Sequence, residues 1–132
     1  MTSPSETSAR ISGRLLVVQG IGALGERITN PLSAAGFAVE VLSGQSHAFH
    51  LARHRRFDVI LLDMTLPGVN GGLLCRAMRL LGANRLTPVV MITAESYESD
   101  RVLGLESGAD DYLTAPFGNT LLLARMAVLL RR

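Results

Sequence analysis

Apolar residues follow two rhythms that take turns along the chain. Compact runs recur at Arg14–Val18 (RLLVV), Phe37–Leu42, Phe57–Leu62 (FDVILL), Pro88–Ile92 (PVVMI) and Asp110–Leu113. Between them the apolar positions spread to helical spacing, which predicts helices over 22–35, 46–56, 73–81, 96–107 and 119–132. The runs at 57–62 and 88–92 are apolar almost throughout, as expected of strands covered on both faces. Gly36, Gly82 and Gly108 close three of the helical segments. Gly25 and Pro31 weaken the first helix, and Pro31 is expected to kink it. Pro67-Gly68 and Gly71-Gly72 read as turns. Leu122, Met126 and Leu129 give the last helix a core stripe, and Leu121, Ala124 and Val128 form a second stripe displaced around it.

Strand and helix alternate five times. That pattern predicts an α/β fold: a doubly wound, five-stranded parallel sheet, order 2-1-3-4-5, with helices on both faces. Ligands of such sheets bind at the carboxyl ends of the strands, so the residues after strands one, three, four and five are the candidates for chemistry. The 132 residues fit one domain over 14–132, behind a flexible polar tail at 1–13 that has no apolar signal-peptide core. At 48% hydrophobic and 18% charged the chain is globular, and no apolar run is long enough for a membrane span. The single cysteine, Cys75, excludes an internal disulfide and a Cys-rich zinc site, and points to the reducing cytoplasm. All 13 basic side chains are arginine, so no step can draw on a lysine ammonium. A net charge of +2 does not argue for nucleic acid, and no helix carries the basic, polar face of a DNA reader.

Asp63 stands after the third run, followed by Met-Thr-Leu-Pro-Gly and Asn70-Gly71; Thr93 stands after the fourth. With VILLDMTLPGVNG (59–71) and GLESGADDYLTAPF (104–117) in place, the chain from about 14 to 132 resembles the receiver domain of bacterial two-component response regulators, in particular the winged-helix class. The resemblance implies that Asp63 corresponds to the phospho-accepting aspartate. It implies that Thr93 and Tyr112 correspond to the hydroxyl and aromatic residues of the activation switch. It also exposes two departures. The family ends its first strand with two acidic, Mg²⁺-binding residues, where this chain has Gln19 and Gly20, and Ala115 replaces the family's lysine. One carboxylate then remains of the family's three. A lone aspartate makes a poor Mg²⁺ site, and an uncompensated phosphoryl transition state loses about 3–4 kcal/mol per missing donor. The expectation is a pocket without Mg²⁺ or other cofactor, and a non-enzymatic domain that works without phosphorylation of Asp63.

Three further signals compete. Gly20-Ile-Gly22-Ala-Leu-Gly25 has the form of a dinucleotide loop, with Glu40 twenty residues on but inside the second strand, and the second mononucleotide half is absent. His47, His50 and His54 share a helical face, expected to be solvated. The last helix has more apolar surface than one face can bury. By the resemblance, it would build a symmetric dimer with the predicted 96–107 helix and the fifth strand. The face would comprise Arg101, Glu106, Asp111, Leu121, Arg125 and Val128, with Asp111–Arg125 pairs at the rim. The expected function is signal transduction and transcription regulation through protein–protein contact and dimerisation. A DNA-binding domain is expected beyond residue 132, and neither a membrane nor nucleic acid is a direct partner. The departures argue against a sensor kinase as phosphodonor. The alternatives are a weakly phosphorylatable receiver at Asp63 and a small-ligand sensor using the Gly20–Gly25 loop.

Overall fold

The computed structural model describes residues 13–20, 26–65, 69–94 and 108–131. Five strands, β1 (Arg14–Gln19), β2 (Ala38–Ser43), β3 (Val59–Asp63), β4 (Val89–Ala94) and β5 (Asp111–Ala115), form one parallel sheet in the order β2-β1-β3-β4-β5. Four helices are described: α1 (Glu26–Ala34), α2 (Gln45–His54), α3 (Gly71–Leu80) and α4 (Asn119–Leu130). The doubly wound topology and strand order match the sequence expectation. All of the tail but Gly13, and the predicted helix over 96–107, lie outside the described residues.

The two-residue strand period splits the core into two layers. Leu15, Val17, Val59, Leu61, Val90, Ile92 and Leu113 pack on one face with Ile28, Leu32 and the α4 stripe Leu122, Met126 and Leu129. Leu16, Val18, Ile60, Leu62, Val89, Met91 and Tyr112 pack on the other with Ala48, Ala52, Leu74, Cys75 and Met78. All five β3 residues are buried, as a central parallel strand requires. Burial pushes the Cys75 thiol above its usual range, against the opposing pull of the Arg79 guanidinium.

Local boundaries depart from expectation in instructive ways. Gly71-Gly72 does not turn; the Asn70 carboxamide accepts the Leu73 N–H at 3.1 Å, and α3 begins at once. α1 runs through Pro31 to Ala34 and ends at Gly36, whose φ of 106° suits a residue without Cβ. β3 starts at Val59, not Phe57, and ends with Asp63 inside it. β4 and β5 run further than predicted, so Thr93 and Ala115 are strand residues.

The lower end of the sheet is held by a polar lock that local periodicity did not reveal. Asn84 is fully buried. Its Nδ2 donates to the carbonyls of Ala52 (2.5 Å) and Arg55 (2.7 Å), and its Oδ1 accepts the Phe57 N–H at 2.8 Å. The Thr87 hydroxyl stands 2.9 Å from Asn84 Oδ1 and 3.1 Å from the Phe57 carbonyl. The end of α2, the entry to β3 and the entry to β4 are thereby fixed together. Gly82, at φ 93°, lies so close that a Cβ would sit 2.7 Å from Arg53 Cα. From the other side the Arg79 guanidinium donates to the carbonyls of Thr87 (2.6 Å) and Gly108 (2.9 Å) and pairs with Asp110 at 2.8 Å.

Replacing Asn84 with alanine strands a buried N–H and two buried carbonyls, each costing about 1–3 kcal/mol before relaxation. Asn84→Ala is expected to lose roughly 3–5 kcal/mol of stability, read as a lower urea midpoint with an unchanged slope.

Candidate functional site

The carboxyl edge of the sheet gathers the residues that the topology brings there. Val18 pairs with Leu62, and one step further Gln19 and Asp63 continue the row of Val17 and Leu61 on the same face. Ala115 continues the row of Leu113 on that face. Thr93 continues the row of Met91, the face on which Tyr112 is buried. Gly20 follows β1 and is buried. Asp63, Gln19, Gly20, Ala115 and Thr93 therefore meet at the exits of β1, β3, β4 and β5.

Asp63 is buried, 6% exposed, and Thr93 is 2% exposed. Asp63 Oδ1 accepts the Thr65 N–H at 3.0 Å and the Thr65 hydroxyl at 2.6 Å. The aspartate charge is met by two dipoles of its own loop. Thr65 is a site residue that the sequence reading passed over; the Asp-x-Thr spacing, a common side-chain-to-backbone turn, carried the signal. Among the described residues Oδ2 has no hydrogen-bond partner. Two other oxygens are buried without a partner, Gln19 Oε1 and Thr93 Oγ1. No lysine exists to reach them, and Ala115 ends in a methyl group. Among the described residues the edge thus holds one carboxylate (Asp63), one amide (Gln19) and two hydroxyls (Thr65 and Thr93), with no side-chain ammonium.

Chemically, Asp63 Oδ2 is placed as a nucleophile, but nothing described around it neutralises the charge that builds on an attacked phosphoryl group. The loop before α3 is fastened to α2 by the Asn70 N–H, which donates to Gln45 Oε1 at 2.7 Å.

The other candidate residues stand apart. Of the Gly20–Gly25 loop only Gly20 is described. Glu40 lies within β2 and pairs with Arg55 at 3.1 Å, which occupies the carboxylate that a ribose would need. His47, His50 and His54 are exposed on α2, with the His50 and His54 rings 5.0 Å apart. Among the described residues no three His, Cys, Asp or Glu side chains form a metal-binding group. Leu121 and Val128 project from α4 at 43% and 48% exposure. Asp111 and Arg125 meet at 2.8 Å within the chain, where β5 passes α4. Arg101 and Glu106 lie outside the described residues. No helix among the described residues is long and apolar enough to cross a membrane.

Comparison with known proteins agrees with this architecture. Residues 15–127 match the response regulator receiver domain family. The chain is 43% identical, over 90% of its length, to the transcriptional regulatory protein CusR of Escherichia coli K12, of which it covers 52%. It is 44% identical, again over 90% of its length, to the DNA-binding response regulator MtrA of Mycobacterium tuberculosis H37Rv, of which it covers 51%. It therefore spans about half the length of these relatives. The receiver domain of the sensor histidine kinase PA1611 from Pseudomonas aeruginosa PAO1 was solved with a magnesium ion coordinated in its active-site cleft. It superposes with a TM-score of 0.82 at 26% identity, covering 92% of this chain and 100% of that one.

The geometry predicts what a second carboxylate would do here. Gln19→Asp puts like charges side by side on one buried face, which raises at least one carboxyl pKa. The variant is expected to lose roughly 1–2 kcal/mol at neutral pH in chelator. The loss should shrink as pH falls through the raised pKa, where protonation removes the repulsion. Chemical denaturation at several pH values checks both the size and the sign.

Proposed function

The chain belongs to the family of response regulator receiver domains, and on that premise we propose that it is an atypical member that signals without phosphorylation of Asp63. It acts by protein–protein contact within a transcriptional regulator, and it is not an enzyme. The observation that carries this reading is the carboxyl edge itself. Asp63 is buried with Oδ1 held by Thr65, while Gln19, Gly20 and Ala115 contribute neither carboxylate nor ammonium.

The donor set does not fit Mg²⁺. That ion binds through one or two carboxylates plus waters in a near-ideal octahedron. Asp63 offers a single free oxygen, and Gln19 Oε1 adds only a neutral one. The unpartnered Thr93 Oγ1 and Asp63 Oδ2 favour one rival reading, slow phosphorylation without the full apparatus. A nucleotide sensor at the Gly20–Gly25 loop is disfavoured, because Arg55 already holds Glu40. CusR is named as a transcriptional regulator and MtrA as DNA-binding, each about twice this length. The same organisation, with a DNA-binding domain after residue 132, is the proposed context here.

The proposed output is a dimer through α4 and β5. Leu121 and Val128 form an apolar centre of the self-complementary face that twofold symmetry requires. Because Asp111 and Arg125 already pair within the chain, they rim the interface as a fixed unit and set its register more than its affinity.

Incubation with acetyl phosphate and Mg²⁺ is expected to leave the intact mass unchanged; a phosphoryl adduct on Asp63 would instead establish the rival reading. The triple variant Gln19→Asp, Gly20→Asp, Ala115→Lys is expected to become phosphorylated, and the single variants to stay near background, since such groups act as a unit.

For the dimer, sedimentation at ~100 μM is expected to show self-association, which a contact of about 5–6 kcal/mol would partly populate. Val128→Glu is expected to weaken it at least tenfold, and added salt to change it little. A monomeric wild type at that concentration would reject the dimer.

A further inference from the structure

The end of the sheet opposite Asp63 carries a surface that the signalling reading does not use. Residues 84–87 form a tight turn closed by the Thr87 N–H, which donates to the Asn84 carbonyl at 3.3 Å. Both ends of the turn are anchored inward. Asn84 and Thr87 are buried, at 0% and 4% exposure, and the Arg79 guanidinium donates to the carbonyls of Arg85 (3.3 Å) and Thr87 (2.6 Å). At the tip of this pinned turn Leu86 is 95% exposed. A leucine on a loop free to fold back would cover itself; this one is held out by its neighbours' hydrogen bonds.

Leu86 does not stand alone. The same loop presents Leu81, and the outward side of α3 presents Leu80 and, two turns earlier, Leu73, all more than half exposed. Around these leucines stand the exposed arginines Arg53, Arg76 and Arg85. Arg76 precedes Leu80 by four residues and so shares its side of α3. Arg53 is brought to the loop by its carbonyl, which accepts the Ala83 N–H at 3.1 Å.

The charge of the surface is one-sided. The nearby carboxylates are already engaged: Asp110 by Arg79, Asp58 by the Arg14 N–H and Arg56, and Glu40 by Arg55. Among the described residues, Arg53, Arg76 and Arg85 are in no ion pair. We propose that the Leu86 turn and the outward stripe of α3 form a docking surface for an acidic amphipathic segment of a partner protein, with Leu80, Leu81 and Leu86 as apolar anchors and Arg53, Arg76 and Arg85 pairing with its carboxylates.

The occupant follows from complementarity. A second copy meeting this face about a twofold axis would set arginine against arginine. An anionic membrane would gain about 1 kcal/mol per arginine as a point charge, whereas carboxylates on a helix can be set against each guanidinium and pair with it bidentately. The backbone of the turn is already fixed by its hydrogen bonds, so docking orders little further chain, which favours a shaped protein partner. The proposal is independent of the state of Asp63.

The test uses the full chain, ¹⁵N-labelled, and three probes: a helical peptide of leucine and glutamate, its leucine–lysine counterpart, and phosphatidylserine vesicles. The glutamate peptide is expected to shift the amides of residues 80–86 and of α3. Leu86→Ser, fully exposed and therefore neutral for folding, is expected to weaken binding about tenfold. Arg76→Glu with Arg85→Glu should abolish it while leaving the melting temperature in place. The proposal is overturned by no shift at ~1 mM peptide, by shifts centred elsewhere, by equal binding of the lysine peptide, or by vesicles binding in preference to the glutamate peptide.

Discussion

One buried amide sets the geometry of both ends of this molecule. A parallel sheet has no hairpins to fix its register, because each strand returns through a long helical crossover. Asn84 supplies what hairpins would have supplied. It joins the last carbonyls of α2 to the entry of β3 and, through Thr87, to the entry of β4. Once β3 enters at a fixed point, its exit is fixed too, and Asp63 arrives beside Gln19 and within reach of the β4 and β5 ends. The price is a polar side chain in the core, tolerable because all its hydrogen-bonding capacity is met.

The carboxyl edge shows the opposite policy. Clustered carboxylates in a buried site repel one another until a cation arrives, so such a site trades stability for chemistry. Here Asp63 is the one carboxylate among the described residues of the edge, and its charge is met by the Thr65 amide and hydroxyl. The remaining cost is small and specific: the Gln19 and Thr93 oxygens are buried without partners. Thr93 and Tyr112 stand in the strands that end at this edge. The electrostatics of this edge are the physical ground of the proposal that the domain works as a surface for contacts rather than as a phosphoryl acceptor.

The proposed contacts would rest on rigid supports. α4 is anchored by Leu122, Met126 and Leu129 and can therefore hold Leu121 and Val128 outward. The Leu86 turn is anchored by Asn84 and Arg79. In both cases buried partners on one side keep apolar side chains exposed on the other. Asp111–Arg125 adds a fixed electrostatic mark beside the first surface, and arginines without an ion pair among the described residues mark the second.

The sequence alone determined the strand-and-helix alternation, the strand order, the two-sided core and the positions from which Asp63, Gln19, Gly20, Thr93 and Ala115 converge. These were legible because burial repeats with the period of the element, two in a strand and 3.6 in a helix, and because strand ends in this topology share one edge. Only the tertiary structure decided the rest. Gly71-Gly72 opens a helix because a side chain one residue earlier caps it. Thr93 lies within β4 because the strand continues past its apolar run. Arg125 turned to Asp111 across 14 residues, and Asn84 reached Ala52 across 32. Polar contacts between distant segments have no period, so no window of sequence contains them, and the same is true of the hydrogen bonds that hold Leu86 out in water.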